Sequence, residues 1–157
     1  MDNKQLTPCL WFDKEAEDAA KFYVSVFKNS SINSVTRYGK EGFEIHGQKE
    51  GTVMTVEFTL NGQRFIGLNG GPQFKFSEAI SFTIPCDTQE EIDYFWKKLT
   101  EGGEEGPCGW LKDRFGLSWQ VTPTILPKLL KDPARAPRVT SAFLKMKKFD
   151  IKELENA

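Results

Sequence analysis

Apolar positions along this chain fall into two runs of the same order, each a short alternating stretch, then a helical stripe, then further alternating stretches. In residues 6–12, Pro8, Leu10 and Phe12 take one face and Thr7, Cys9 and Trp11 the other, which predicts a strand. Asp13 stands where an N-cap belongs, because its carboxylate can accept from the free amides of a first helical turn. Ala16, Ala19, Ala20, Tyr23, Val26 and Phe27 then recur at helical spacing, so an amphipathic helix follows and Asn29-Ser30-Ser31 ends it. Residues 32–38 predict a short strand, and 39–51 a Gly-rich, charged loop that holds His46, the sole histidine. In residues 52–60, Met54, Val56, Phe58 and Leu60 oppose Thr55, Glu57 and Thr59, and the Asn61-Gly62 pair predicts a tight hairpin back through 63–69.

Gly70-Gly71-Pro72 closes that unit, and the order begins again. Residues 79–84 predict a strand, Asp87 an N-cap with Glu90 placed for a capping box, and Ile92, Phe95, Trp96 and Leu99 the stripe of a second helix. Gly102-Gly103 stops it, and residues 102–106 read as a connection. Residues 108–123 then form two strands around a turn at 113–116, with Leu117, Trp119 and Val121 on one face and Ser118, Gln120 and Thr122 on the other. An offset of 72 residues lays 79–84 on 7–12 with the apolar faces in phase. Beyond Pro123, residues 125–131, 135–146 and 151–155 predict short helices broken at Asp132-Pro133 and Phe149-Asp150. The expected fold is α+β: tandem βαβββ modules with short C-terminal helices. A single domain over 1–157 is expected to hold a first module at 6–71, a second at 72–124 and a helical extension at 125–157.

Composition narrows the partners. Among 157 residues, 21 basic against 22 acidic side chains leave a formal net charge of -1, so no polyanion or membrane surface is favoured and nucleic acid is not expected. Cys9, Cys86 and Cys108 are odd in number and far apart, which suits neither a disulfide framework nor a zinc knuckle and points to a reducing compartment. No apolar run approaches the roughly 20 residues of a spanning helix, and Met1-Asp2-Asn3-Lys4-Gln5 opens without an apolar leader, so a cytoplasmic protein is expected.

Several stretches carry a family likeness: Thr7-Pro8-Cys9-Leu10-Trp11-Phe12-Asp13, Ala19-Ala20-Lys21-Phe22-Tyr23, Leu68-Asn69-Gly70-Gly71-Pro72, Ala79-Ile80-Ser81-Phe82 and Cys108-Gly109-Trp110-Leu111-Lys112-Asp113. In these, the chain resembles the PhnB-like, or 3-demethylubiquinone methyltransferase-like, family of the glyoxalase/bleomycin resistance/extradiol dioxygenase (vicinal oxygen chelate) superfamily. The resemblance implies two curved sheets, each with a helix on its outer face. It also implies a divalent metal held by His, Gln or Glu on the first and last strands of the modules. The matching positions here are Thr7, Ala79, one near Gly67, and Gln120; only Gln120 carries a donor group of that set, so no metal is expected. The methyltransferase name implies S-adenosylmethionine, yet Asp13-Lys14-Glu15-Ala16 occupies the place of the Gly-rich turn that a doubly wound binding sheet needs, and no cofactor is expected.

Candidate chemistry gathers on the polar faces. Glu57 is the candidate catalytic residue, as a carboxylate in a partly dry hollow that could act as acid or base; the alternative is that it faces solvent or pairs with an Arg such as Arg64 across the hairpin. Thr7, Cys9, Trp11, Asn69, Ser81, Trp110 and Gln120 are the candidate substrate-binding residues, with Thr7, Cys9, Trp11, Glu57, Ser81 and Gln120 expected to line one concave cavity. Trp119 falls in phase with the core. A cysteine nucleophile would need a base that a chain with one histidine hardly supplies, unless the 39–51 loop folds His46 inward as a lid. Two functions are consistent with this pattern: a metal-free small-molecule binding protein with its ligand in the concave sheet, or an enzyme of lyase, isomerase or transferase type on a small polar or aromatic metabolite. A homodimer through sheet edges or swapped modules is expected.

Overall fold

The computed structural model describes residues 5–157, and residues 1–4, most of the opening read as leaderless, lie outside the described residues. The chain forms two compact units, Met1–Lys75 and Phe76–Ala157.

In the first unit, β1 (Cys9–Phe12), α1 (Ala16–Val26), β2 (Ser31–Arg37), α2 (Phe43–His46), β3 (Val53–Leu60) and β4 (Gln63–Asn69) succeed one another. The sheet order is β1-β4-β3-β2, with β1 parallel to β4 and the other pairs antiparallel. The helix buries Ala16, Ala19, Ala20, Tyr23 and Val26, the stripe read from the sequence, against Val56, Phe58 and Leu60 of the sheet. Small residues at the head of that stripe let the helix settle close: a Cβ on Gly67 would stand 3.2 Å from that of Ala16. Asn61 and Gly62 both take positive φ, 50° and 85°, as a two-residue hairpin of this handedness requires.

Two expectations are corrected here. Asp13 does not cap α1. Glu15 occupies the N-cap position without a side-chain bond, and the Ala16 N–H is instead satisfied by Asn69 Oδ1 at 2.8 Å. The parallel pairing sets Asn69 opposite Phe12, directly beneath the start of the helix, so a residue distant in sequence does the capping. Within the 39–51 loop, Gly42 and Gly47 adopt left-handed φ of 76° and 66° and bracket the single turn α2.

The second unit contains β5 (Phe82–Cys86), α3 (Gln89–Thr100), β6 (Glu104–Glu105), β7 (Trp110–Lys112), β8 (Ser118–Pro123), α4 (Leu126–Lys131), α5 (Ala136–Phe143) and α6 (Ile151–Asn156). Its sheet order, β5-β8-β7-β6, repeats that of the first, again with a parallel first pair. Ile92, Trp96 and Leu99 of α3 are buried, as are Leu111, Trp119 and Val121 of the sheet. Pro85 lacks an amide donor and is tolerated because β5 is an edge strand.

The second strand pair starts later than the sequence offset suggests. Residues 78–80 turn, Ile80 is exposed, and the strand begins at Phe82. Cys9 lies opposite Ile66 while Thr83 lies opposite Gln120, and Gly70 N–H bonds Phe12 O as Thr124 N–H bonds Cys86 O. Thr83 is thus the counterpart of Cys9, and Ser81 rather than Ala79 that of Thr7. A slip of two residues leaves inward and outward faces unchanged, which is why the alternation could not reveal it. The capping box also lies one residue later than expected: Thr88 Oγ1 accepts from Glu91 N–H at 3.2 Å, and Glu91 returns the bond. Asp87 is held at the strand end, where its carboxylate accepts from Thr124 Oγ1 at 2.7 Å. Residues 102–106, read as a connection, contain the short edge strand β6, with Glu104 opposite Lys112.

The C-terminal helices belong to this second unit. Val139, Met146, Phe149 and Leu154 are buried, and Gln89 ties the segment down by donating to Phe149 O and accepting from Ile151 N–H. Cys108 and Gly109 donate their amides to Met146 O and Lys147 O. Gly109 sits at φ 80°, where a Cβ would meet the Phe149 ring at 2.4 Å, so glycine is required on both counts.

Candidate functional site

Each sheet has one face under its helix and one open face, and the candidate residues divide between the two units. On the first unit, the open face carries Cys9 on β1, Ile66 and Leu68 on β4, and Thr55, Glu57 and Thr59 on β3. Cys9 and Glu57 flank Ile66 from either side, since both are paired with it in the ladder. The Glu57 carboxylate is not left bare: Arg64 Nη2 lies 3.1 Å from Oε2, with side-chain exposures of 38% for Glu57 and 58% for Arg64. At that exposure the pair is worth little to stability, and it neutralises the group that a base mechanism would need free.

Trp11 lies across the glycine turn that follows β4. Its indole N–H donates to Gly71 O at 2.8 Å, its ring meets Phe74 edge-on at 4.9 Å, and a Cβ on Gly70 would fall 2.2 Å from it. Gly70 is therefore needed for this wall to form. Thr7, half-buried, precedes β1 in the same unit. Asn69 is 5% exposed and lies on the helix side, with Oδ1 engaged by Ala16 and Nδ2 donating to Val53 O at 3.1 Å. His46 remains on α2, 4.6 Å from the Tyr38 ring, with Nδ1 accepting from Gln48 N–H.

On the second unit, three of the candidates come together. Gln120 Nε2 donates to Ser81 Oγ at 2.8 Å, and Trp110 sits directly opposite Gln120 across β7 and β8. Gln120 Oε1 makes no hydrogen bond among the described residues. Beside them lies a cavity of about 380 Å³ whose walls include Gly106, Pro107, Trp110, Lys112 and Ser118, with Glu78 at its rim. Glu78 pairs with Lys112, which holds the Glu78 carboxyl below the usual carboxylate range and the Lys112 ammonium above its own. Ser118 shares the face of Gln120 and Thr122 in the alternation, but nothing in the sequence marks it as different from them.

The donor set does not fit a divalent metal. With the observed register, the first-strand positions are Thr7 and Ser81, and the last-strand positions are Ile66 and Gln120. The first unit thus offers a hydroxyl and a hydrocarbon, and the second a hydroxyl and one amide already bonded to it. Such sites need several anionic or imidazole donors. Among the described residues no three His, Cys, Asp or Glu side chains gather where they could hold an ion. Two of the thiols are held in the neutral form: desolvation raises the Cys9 pKa, and burial, with Glu91 and Asp87 nearby, pushes Cys86 up to about 12.

Comparison with known proteins agrees with this architecture. The sequence pattern of the family described as 3-demethylubiquinone-9 3-methyltransferase matches residues 4–122. The PhnB protein from Bacillus cereus is 38% identical, superposes with a TM-score of 0.66, and is matched over 77% of this chain and 100% of its own. Protein PA1353 from Pseudomonas aeruginosa shares the fold at 17% identity and a TM-score of 0.61, over 77% and 98% of the two chains. The fosfomycin resistance protein FosX from Listeria monocytogenes, solved with Mn(II) and sulfate, shares it at 13% identity and a TM-score of 0.56, over 83% and 98%. No curated protein matches the chain.

Proposed function

Because the chain belongs to the 3-demethylubiquinone-9 3-methyltransferase (PhnB-like) family, within the glyoxalase/bleomycin resistance superfamily, we propose that it binds a small organic molecule on its open sheet faces without a metal. The observation that carries this reading is the Ser81–Gln120–Trp110 group. It combines an amide oxygen left unbonded, a hydroxyl that fixes the amide's orientation, and an aromatic wall across the ladder. A few fixed polar atoms beside apolar surface are what a small-molecule site needs. Thr7, Cys9, Trp11 and, on the same reading, Glu57 are the corresponding candidates in the first unit, taken by itself. Asn69 is left out, since its amide is spent on the backbone.

A homodimer in the cytoplasm is part of the same proposal. Three cysteines, none in a disulfide, support a reducing compartment. No helix among the described residues is long and apolar enough to cross a membrane. An enzymatic role through Glu57 is the second reading, and its support is a half-exposed carboxylate on the open face of β3. The test is native mass spectrometry of the protein as purified, followed by Gln120→Ala. A copurified small molecule that is lost in the variant supports binding. Wild-type protein free of any adduct, with a turnover abolished by Glu57→Gln, would replace the binding reading with the enzymatic one.

A further inference from the structure

Ser118 is 1% exposed, and its hydroxyl is the one buried side-chain oxygen or nitrogen among the described residues without a hydrogen-bond partner. A buried polar atom left unpaired calls for an explanation, because burial strips its water without giving anything in return. The location supplies one. Ser118 begins β8, opposite Lys112 on β7, and lines the cavity of about 380 Å³ together with Trp110, Pro107 and Gly106.

We infer that this cavity receives a flat, uncharged, largely apolar molecule of one or two fused rings whose single hydroxyl or carbonyl bonds Ser118 Oγ. This rests on the reading of the open face as a binding surface and adds the ligand's chemistry and its anchor. The volume lies near the lower end for small-molecule sites, above the roughly 150 Å³ that accommodates benzene. Trp110 supplies an aromatic wall, and Pro107 with Gly106 the apolar remainder. Charge excludes an anion. The Lys112 ammonium is paired with Glu78, and Lys147 lies 3.6 Å from Glu105, which also accepts from Trp96 Nε1. Glu104, on the same wall, faces Lys112 across the ladder and shares that one ammonium with Glu78, so the rim is negative on balance. A serine hydroxyl both donates and accepts, so it serves a phenol or a ketone alike.

The test uses three probes on the whole chain: 2-naphthol, naphthalene and 2-naphthoate, titrated by tryptophan fluorescence. Wild-type protein is expected to bind 2-naphthol at least 10-fold more tightly than naphthalene, and 2-naphthoate more weakly than either. Ser118→Ala is expected to erase the difference between the first two while its melting temperature stays level or rises, because no partner is stranded. Equal 2-naphthol affinity in wild type and Ser118→Ala, or a lower melting temperature in the variant, overturns the anchor. So does a crystal soaked in 2-naphthol that shows only an ordered water on Ser118 Oγ. Loss of 2-naphthol in Gln120→Ala with full retention in Ser118→Ala overturns this inference and leaves the open-face reading standing. Loss in Ser118→Ala with retention in Gln120→Ala supports the Ser118 anchor and shows that this ligand does not depend on the Gln120 amide. No binding of any probe by wild type up to buffer saturation overturns the cavity as a site.

Discussion

Trp119 donates its indole N–H to Asp113 Oδ2 at 2.8 Å, so the aspartate that shapes the β7–β8 turn also anchors one of the two buried tryptophans of the second core. Asp113 is buried, and its Oδ1 accepts from Phe115 and Leu117 N–H at 2.8 and 3.1 Å. Replacing it with alanine strands three donors, two of them buried and one part-buried. The expected loss is about 3 kcal/mol or more, read from urea melts. A loss below about 1 kcal/mol would show that water reaches these amides.

The face assignment gives opposite expectations for neighbouring residues. Phe58→Ala or Trp119→Ala should cost about 3 to 5 kcal/mol through the cavity left in the core. Glu57→Gln and Gln120→Ala should each change stability by less than about 1 kcal/mol. Paired denaturant melts decide it, and a reversal of the order would place the strands one residue out of register.

Asn69→Ala removes the acceptor of Ala16 N–H and the donor to Val53 O together. A cost of about 2 kcal/mol or more is expected, with amide exchange of the first turn of α1 accelerated more than that of its last turn. Uniform acceleration along the helix would mean that the bond does not act as a cap.

Stability should fall in alkali through Cys86. Its folded pKa is raised to about 12 from 9.0, so above pH 9 the unfolded chain gives up a proton that the folded chain retains, and stability declines up to about pH 12. The slope from this one group cannot exceed about 1.4 kcal/mol per pH unit. Melts of wild type and Cys86→Ala between pH 8 and 11 should diverge, with the variant the flatter.

Elemental analysis after dialysis should find no stoichiometric zinc, manganese, iron or nickel, given that Thr7, Ser81 and Gln120 offer only neutral donors and Ile66 none. One ion per chain, lost on Gln120→Ala, would refute the proposed metal-free site. Sedimentation at micromolar concentration should give a dimer of the 17.9 kDa chain; a monomer throughout would contradict it.

Local chemistry was legible in the sequence and tertiary substitution was not. The α1 stripe from Ala16 to Val26 and the Asn61-Gly62 turn depend only on near neighbours and were read correctly. Asp13 and Asp87 satisfy the rules for an N-cap as well as Glu15 or Thr88 do; what decides is strand pairing, which brings Asn69 under Ala16 and holds Asp87 against Thr124. At the site, alternation put Glu57 and Gln120 on the open faces, and the Arg64 pairing was among the readings open for Glu57. The Ser81 partner of Gln120 lay beyond reach, because it depends on a two-residue slip that alternation cannot register. Ser118 was hidden for another reason: a serine left unpaired looks, in sequence, like any serine.

The edges of the two sheets differ in what they leave open. β1 is four residues long, β6 is two, and β5 carries Pro85, which has no amide hydrogen to offer. Among the described residues only β2, seven residues with every one exposed, presents a long edge row of donors and acceptors. A molecule with one such row can satisfy it against the same row of a second copy, related by a two-fold axis, and then has none left. If the proposed homodimer forms through this edge, growth stops at two, whereas a second long edge of equal quality would make the same chemistry a route to filaments.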